Sequence, residues 1–209
     1  MKSEFIENAN TRKFFEICSE LSDPSSMTGL TLAKALPRKR KTVPREGHLM
    51  LLAIDPSLNH IGWAIIEDGK VDESGVINAR GNTLVAKLSA IRVELLVKFT
   101  QRDFTTAVIE IPGKITYARS ARGGKALNTD SMHKLCMATG VIIAELSRLG
   151  YEVETAVADE WKRNFSRRQF AAGKDFFLAA AKQITGREIK TDHEADAICL
   201  GWWWGKCKV

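Results

Sequence analysis

The sequence predicts an α/β protein with a mixed five-stranded sheet flanked by helices, and three observations lead to this prediction. Apolar runs of strand length alternate with longer segments of helical periodicity from residue 49 onward. Asp68-Gly69 separates two strand-like segments and is typical of a tight hairpin turn. The first three predicted strands are joined by short turns and are therefore expected to be antiparallel, whereas the later strands follow helices and are expected to be parallel.

The elements follow from local patterns. Residues 49–55 and 106–111 are apolar runs that each end near a carboxylate, which is typical of buried strands. Leu84, Leu88 and Ile91 recur at helical spacing, and Gly150 is placed to end a helix. The predicted strands are 49–55, 62–67, 70–78, 106–111 and 152–157, and the predicted helices are 83–100, 129–149, 159–165, 173–184 and 191–204, with a loop at 112–128.

The first 48 residues have a different character and are predicted to form a helical extension with a basic linker, separate from a domain at 49–209. A loose helical pattern spans 3–21, and a second short helix is expected at 30–36. Residues 37–45 are bounded by prolines and carry five positive charges. This run is either a solvated linker or an arm that contacts phosphates, and a nuclear-localisation signal is the weakest interpretation.

Composition excludes several classes of protein. Hydrophobic residues make up 44% of the 209 residues and charged residues 27%, which excludes disorder over the whole chain. No apolar run approaches the roughly 18 residues that a membrane span needs. The N-terminal segment lacks a signal-peptide core and contains several acids, so we expect a cytoplasmic protein without a signal or transit peptide. The net charge of +6 favours a polyanionic partner such as nucleic acid.

The cysteines do not predict a zinc site. None of the four forms a Cys-x-x-Cys pair, and the four histidines are scattered. Cys136 and Cys199 lie within apolar helical patterns and are expected to be buried free thiols.

The positions of the acids are the most informative feature. Asp55 follows the apolar run 51–54, and Glu110 has apolar neighbours on both sides. A buried charge of this kind costs several kcal/mol unless it is paired or bound to a metal, so Glu110 is either in a buried salt bridge or in a site. Asp192, Glu194 and Asp196 open the last predicted helix. Two carboxylates on adjoining strands and this cluster would form a pocket for Mg²⁺ or Mn²⁺.

The residues that open the last helix need not all be ligands. Thr191 and Glu194 match the spacing of a capping box, which favours a local structural role for Glu194. On a helix, His193 and Asp196 lie about 60° apart, and Asp192 and Asp196 lie about 40° apart. Helix geometry alone does not choose between Asp192 and His193.

Several short motifs, in this order and with the expected secondary structure, resemble those of RuvC-type Holliday junction resolvases. The resemblance covers roughly residues 49–205 and implies an RNase H-like fold. Ser57 stands where the family usually has Gly, so that turn must avoid positive φ or adopt it with strain. Residues 1–48 have no recognised counterpart, and these departures suggest a divergent, phage-like member. The motifs lie at 51–57, 62–66, 108–110, 134–142, 157–162 and 192–197.

The resemblance also implies the catalytic groups. Asp55, Glu110 and Asp196 match three catalytic acids of the family, and His193 falls where the family has Asp or, in some members, His. Lys174 matches a lysine that the family places near the scissile phosphate. The implied reaction is paired hydrolysis of four-way junctions with two Mg²⁺ ions per site, for which Mn²⁺ is expected to substitute. Whether His193 is a metal ligand or a proton shuttle stays open.

Basic clusters flank these acids in the sequence. They are either solvated surface residues or contacts to DNA phosphates, and a neighbouring phosphodiesterase site favours the second interpretation. Tyr117 is the candidate for the aromatic residue that stacks at the junction centre in cellular members of the family. The family acts as a homodimer, so the resemblance implies a dimer here. The tryptophans at 202–204 are instead expected to pack in the core. The candidate DNA-binding residues are Lys114, Tyr117, Arg119, Arg122, Lys125, Lys162, Arg163, Arg167 and Arg168.

Three other functions are compatible with parts of the sequence. A flap or branched-DNA nuclease with loose specificity would use the same residues. A non-catalytic DNA-binding module would not need all four ligand-type positions. An actin-like ATPase is disfavoured, because the chain is too short for two lobes and has no second glycine-rich phosphate loop.

Overall fold

The first three strands form an antiparallel meander, as predicted. They are β1 (Met50–Asp55), β2 (His60–Glu67) and β3 (Lys70–Asn78). Asp68 and Gly69 join β2 to β3 with φ angles of +49° and +77°, the positive values that a tight hairpin turn requires. The structure is a computed structural model that describes residues 50–102, 104–112, 129–165 and 174–207.

The remaining strands extend the sheet on the other side of β1. β4 (Thr106–Ile111) pairs with β1 in parallel, and β5 (Glu152–Val157) pairs with β4 in parallel. The strand order is β3-β2-β1-β4-β5, so the predicted mixed five-stranded sheet is confirmed. The strands that end near Asp55 and Glu110 are direct neighbours.

Five helices lie in the described part of the chain, close to their predicted positions. Thr83 caps the first helix, because its hydroxyl accepts a hydrogen bond from the Ala86 amide. Gly150 follows the second with a φ of +86°, which suits a helix C-terminus. The third is shorter than the predicted 159–165. The helices are α1 (Leu84–Phe99), α2 (Thr129–Arg148), α3 (Ala158–Lys162), α4 (Lys174–Thr185) and α5 (Asp192–Cys207).

The two faces of the sheet have separate cores, because successive strand residues point to opposite faces. On one face, Leu52 and Ile54 of β1 pack with residues of α1 and α2. On the other face, Leu51 and Ala53 pack with residues of α3, α4 and α5. By the same alternation, Asp55 points to the side of Leu51 and Ala53. Glu110 points to the side of Val108, which belongs to the second core, so both acids face α5.

The packing confirms the predicted burial of some side chains and contradicts that of one. Cys199 is buried as expected, but Cys136 is exposed, because it lies on the face of α2 that points away from the sheet. Trp203 is buried and Trp202 is half-buried against Phe165, which agrees with packing roles. Asp68 is the only non-glycine residue with positive φ in the described ranges, so the turn at Ser57 avoids that conformation.

Two predicted segments fall largely outside the part of the chain that the structure describes. The predicted extension at 1–48 lies outside the described residues, and the loop predicted at 112–128 lies outside them except for Pro112. No helix within the described ranges is long and apolar enough to cross a membrane.

Candidate metal centre

Three carboxylates from three separate elements converge at one edge of the sheet. Asp55 ends β1, Glu110 lies near the end of β4, and Asp196 lies in the second turn of α5. One oxygen of each lies within 4.8 Å of the others. Because β1 and β4 are parallel neighbours, their carboxyl ends meet at the same edge, and α5 adds the third acid from above the sheet.

Helix α3 provides two donors to these carboxylates. The Trp161 indole Nε1 donates a hydrogen bond to Glu110 Oε2 over 2.9 Å. The Lys162 ammonium donates to Asp196 Oδ2 over 2.8 Å and lies 3.5 Å from Glu110 Oε2. The Lys162 side chain is only 16% exposed. Lys162 therefore acts as a counterion within the cluster in this structure.

His193 contacts the cluster through Asp55. Its Nδ1 donates a hydrogen bond to Asp55 Oδ2 over 2.7 Å. This bond raises the pKa of the His193 imidazole, while partial burial opposes the effect. The contact directs Nδ1 to the carboxylate and leaves Nε2 as the ring nitrogen for any other partner.

Burial and mutual repulsion perturb the acids. Burial, aided by the charges of Asp55 and Asp196, raises the pKa of Glu110 from 4.5 to about 7, although Lys162 opposes this rise. Burial also raises the pKa of Asp196. Burial alone would lower the pKa of Lys162, but the carboxylates of Asp196 and Glu110 outweigh it and raise the pKa. Among the described residues, the negative charge of the three carboxylates therefore exceeds the positive charge of Lys162, the buried ammonium that contacts them.

The donor set fits a hard divalent cation. All three ligand groups are carboxylates, which Mg²⁺ and Mn²⁺ prefer over nitrogen or sulfur. The raised pKa values of Glu110 and Asp196 show that ionising this pocket is unfavourable without further positive charge. A cation of charge +2 supplies that charge, so Asp55, Glu110 and Asp196 could hold one.

The first turn of α5 is fixed by polar contacts. The Thr191 hydroxyl accepts a hydrogen bond from the Glu194 amide over 3.3 Å, which is one half of the predicted capping box. The Glu194 carboxylate bonds elsewhere. Its Oε1 accepts from the Ser74 hydroxyl over 2.8 Å and from Arg187 over 2.9 Å. The Glu194 side chain therefore ties α5 to β3, while Thr191 caps the start of the helix.

The structure brings together only some of the predicted site residues. Asp55, Glu110 and Asp196 form the cluster, and His193 adjoins it. Lys162 points into the cluster, although its sequence context predicted a contact to DNA. Arg163 is exposed and pairs with Asp159. Lys174 begins α4, but its side chain is outside the description, as are Lys114, Tyr117, Arg119, Arg122, Lys125, Arg167 and Arg168.

Several supporting residues are not marked by the sequence. Trp161 belongs to one of the short motifs, whereas no pattern distinguishes Ser74 or Arg187. The available signal for Trp161 is an indole beside a lysine in a short helix that follows a strand. Nothing local marks Ser74 or Arg187, because their shared partner Glu194 is distant from Ser74 in the sequence.

Comparison with known proteins identifies the architecture. RuvC of T. thermophilus in complex with Holliday junction substrate matches with a TM-score of 0.57 and 14% identity, covering 76% of this chain and 96% of that chain. A second Thermus thermophilus RuvC structure matches with a TM-score of 0.55 and 14% identity, covering 77% and 97%. The chain has a divergent RuvC-like RNase H fold. No protein-family model matches the sequence, and no curated protein matches it.

The RuvC-like fold explains why the acids meet where they do. Its central parallel pair, β1 and β4, brings two carboxylates to one edge, and the last helix crosses above that edge. At 14% identity the comparison establishes the fold alone. The three carboxylates and their counterion are features of this chain's own geometry.

Proposed function

We propose that the protein is a metal-dependent, structure-specific endonuclease that resolves four-way DNA junctions by paired phosphodiester hydrolysis. The observation that carries this proposal is the convergence of Asp55, Glu110 and Asp196 within 4.8 Å on a RuvC-like fold. One of the two similar structures is a RuvC in complex with a Holliday junction substrate. The proposed location is the cytoplasm of a bacterial or phage-infected cell.

The chemistry proposed for the site divides between ion and protein. Two Mg²⁺ ions, or Mn²⁺ in their place, would generate the nucleophile from water and stabilise the leaving oxygen. Asp55, Glu110 and Asp196 are the proposed ligands. His193 is held by Asp55 through Nδ1, so its Nε2 is the atom proposed to bind an ion or carry a proton. Lys162 keeps part of the acidic charge neutralised, and Lys174 is proposed to contact the phosphate.

DNA binding is proposed to use basic residues on both sides of the centre. An excess of six positive charges over the chain favours contact with phosphates. Arg163 is exposed at the end of α3 and directly follows Lys162, which contacts the acidic cluster. The other candidates are Lys114, Tyr117, Arg119, Arg122, Lys125, Arg167 and Arg168, together with Lys162 once its ammonium leaves the acids.

We further propose that two copies act together. Paired nicks on a symmetric junction require two sites, and a two-fold dimer is the commonest oligomer. Helices α1 and α2 pack against each other and expose apolar side chains. Val93, Val97 and Met137 are exposed there to 40%, 65% and 50%. This α1–α2 face is the proposed contact with the second copy.

A cleavage assay tests the proposal. Four-way, flap and Y-shaped DNA substrates are incubated with Mg²⁺ or Mn²⁺, and the positions of the nicks are mapped. We expect paired, symmetric nicks in the four-way junction. Asp55→Asn should abolish cleavage and largely retain junction binding, whereas the exposed control Asp72→Asn should cleave normally.

Other outcomes decide between the alternatives. Equal cutting of flap and Y substrates would identify a broader branched-DNA nuclease. DNA binding without metal-dependent cleavage of any substrate would identify a non-catalytic module. Cleavage by Asp55→Asn at the normal rate would contradict the proposed centre.

A further inference from the structure

Gly62 lies directly opposite Asp55 in the β1–β2 pairing, in the middle of a strand whose other residues are mostly apolar. A glycine in a strand interior often marks a place where another part of the backbone approaches closely. In this structure that neighbour is the first turn of α5. A Cβ atom at Gly62 would lie 1.8 Å from the carbonyl oxygen of His193 and 2.3 Å from its carbonyl carbon.

A side chain at position 62 could not be accommodated by a rotamer change in its neighbour. The opposing atoms of His193 are main-chain atoms, so a rotamer change cannot move them. Non-bonded carbon atoms normally approach to about 3.5–4.0 Å. A methyl group at position 62 would therefore push the first turn of α5 away from β2. The first turn carries His193 and the second turn carries Asp196. Displacing this end of α5 would therefore move both side chains away from Asp55 and Glu110.

Glu194 fixes the same turn from another direction. Its carboxylate is 11% exposed and accepts hydrogen bonds from Ser74 of β3 and from Arg187. Arg187 also donates to the Ser74 hydroxyl. Because Glu194 lies between His193 and Asp196, this network restrains the turn laterally while Gly62 sets its height above the sheet.

We propose that Gly62 and Glu194 are positioning residues of the metal centre. This inference rests on the proposed function, because it takes Asp55, Glu110 and Asp196 as metal ligands. Gly62 acts by having no side chain, and Glu194 acts through Ser74 and Arg187. Neither residue needs to touch the ion. Removing a contact that orients a metal ligand typically weakens metal binding by about 10- to 100-fold.

The chain offers a matched control for each residue. Gly201 of α5 also packs tightly, since a Cβ there would lie 2.7 Å from Ile66 and 2.9 Å from Ala53. These opposing atoms belong to side chains and not to the main chain of His193. Gly201→Ala therefore adds a methyl group to the same helix–sheet interface without contacting the first turn of α5. Glu145 of α2 is buried like Glu194 and pairs with Arg92 and Arg148. Glu145→Ala therefore matches Glu194→Ala.

The experiment measures Mn²⁺ binding to the full chain without DNA, by the electron paramagnetic resonance signal of free Mn²⁺, together with urea unfolding. Gly62→Ala and Glu194→Ala should each weaken Mn²⁺ binding by about tenfold or more. Glu194→Gln should restore much of the affinity, because an amide oxygen can still accept from Ser74. Gly201→Ala and Glu145→Ala should be destabilised in urea and bind Mn²⁺ like the unmodified protein.

Each remaining outcome is decisive. Site variants that bind Mn²⁺ within about twofold of the unmodified protein would overturn the positioning role, as would controls that lose as much affinity as the site variants. If Gly62→Ala does not fold, Glu194→Ala and its Gln rescue decide alone. Failure of the unmodified protein to bind Mn²⁺ would instead overturn the proposed function on which the inference rests.

Discussion

The imidazole Nδ1 of His193 lies 2.7 Å from Oδ2 of Asp55, which joins the start of the last helix to the end of the first described strand. The carboxylate accepts a hydrogen bond from Nδ1–H, so the ring is held in one orientation. A ligand role and a proton-carrying role would both use Nε2. The two interpretations of His193 left open by the sequence thus converge on one ring atom.

The pair predicts a shift in the titration of His193. The hydrogen bond from His193 to Asp55 is the largest cause of its raised pKa, and the charge of Asp192 contributes less. Asp55→Asn should therefore lower the pKa of His193 more than Asp192→Asn does. Imidazole signals followed by NMR against pH measure both values. An equal fall in the two variants would show that the hydrogen bond is not the main cause.

Metal binding should depend on pH through Glu110. Its pKa is raised to about 7, and an ion needs the ionised carboxylate. Below pH 7, Mn²⁺ affinity should rise about tenfold per pH unit if one proton is released, and it should level off above pH 7. Glu110→Gln should bind more weakly and lose most of this slope. A similar slope in Glu110→Gln would assign the proton to another group.

The same shift affects the stability of the metal-free protein. Because the pKa of Glu110 is higher in the folded protein than its ordinary value of 4.5, the folded state binds more protons between those two values. The contribution of Glu110 to the free energy of unfolding should therefore fall as pH rises from about 4.5 to about 7. Urea unfolding at several pH values, compared with Glu110→Gln, measures this contribution. No difference between the two pH profiles would contradict it.

Removing the buried ammonium should destabilise the protein in a pH-dependent way. Lys162→Met leaves Asp196 and Glu110 without their counterion, which should lower the free energy of unfolding by up to about 3 kcal/mol at pH 8. The loss should be smaller at pH 5, where Glu110 holds a proton. Added Mn²⁺ should raise the melting temperature more in Lys162→Met than in the unmodified protein.

An exposed pair provides the control for this variant. Lys182 pairs with Glu188, and their side chains are 56% and 73% exposed. Lys182→Met should change stability by less than about 1 kcal/mol at either pH. Equal losses in the two lysine variants would mean that Lys162 contributes no more than a surface residue.

The α1–α2 face can be tested independently of catalysis. Val97→Lys or Met137→Lys should convert a dimer to a monomer in light scattering, because each places a charge on the proposed contact. Both side chains are exposed, so thermal stability at low protein concentration should change little. The control is Gln183→Lys, on an exposed position of α4 across the sheet. A dimer that persists in both variants would exclude this face.

The sequence predicted the order of strands and helices because each element carries a local signal. The Asp68-Gly69 turn and the apolar runs of β1 and β4 were recognised in this way. The acids were predicted for a related reason: a carboxylate that ends a buried strand is conspicuous without any knowledge of its partners.

Other features of the centre depend on how helices cross the sheet, and no local pattern encodes that crossing. The sequence predicts that Lys162 contacts DNA, because its basic neighbours are typical of a surface segment. In the structure, burial of the adjacent Trp161 beneath Glu110 turns the lysine toward the acids. The contact between Gly62 and His193 joins β2 to α5 and was likewise not predictable from either segment alone.

The distance along the chain between Asp55 and Asp196 has a consequence for how the protein matures. Asp55 lies in the first described strand and Asp196 in the last described helix. Bringing such distant segments together carries a large loop-closure entropy, and contacts of this kind tend to form slowly. A partly folded chain that lacks docked α5 holds Asp196 apart from Asp55 and Glu110. Affinity for a divalent ion should therefore arise abruptly, in the closing step of folding, and serve as a reporter of its completion.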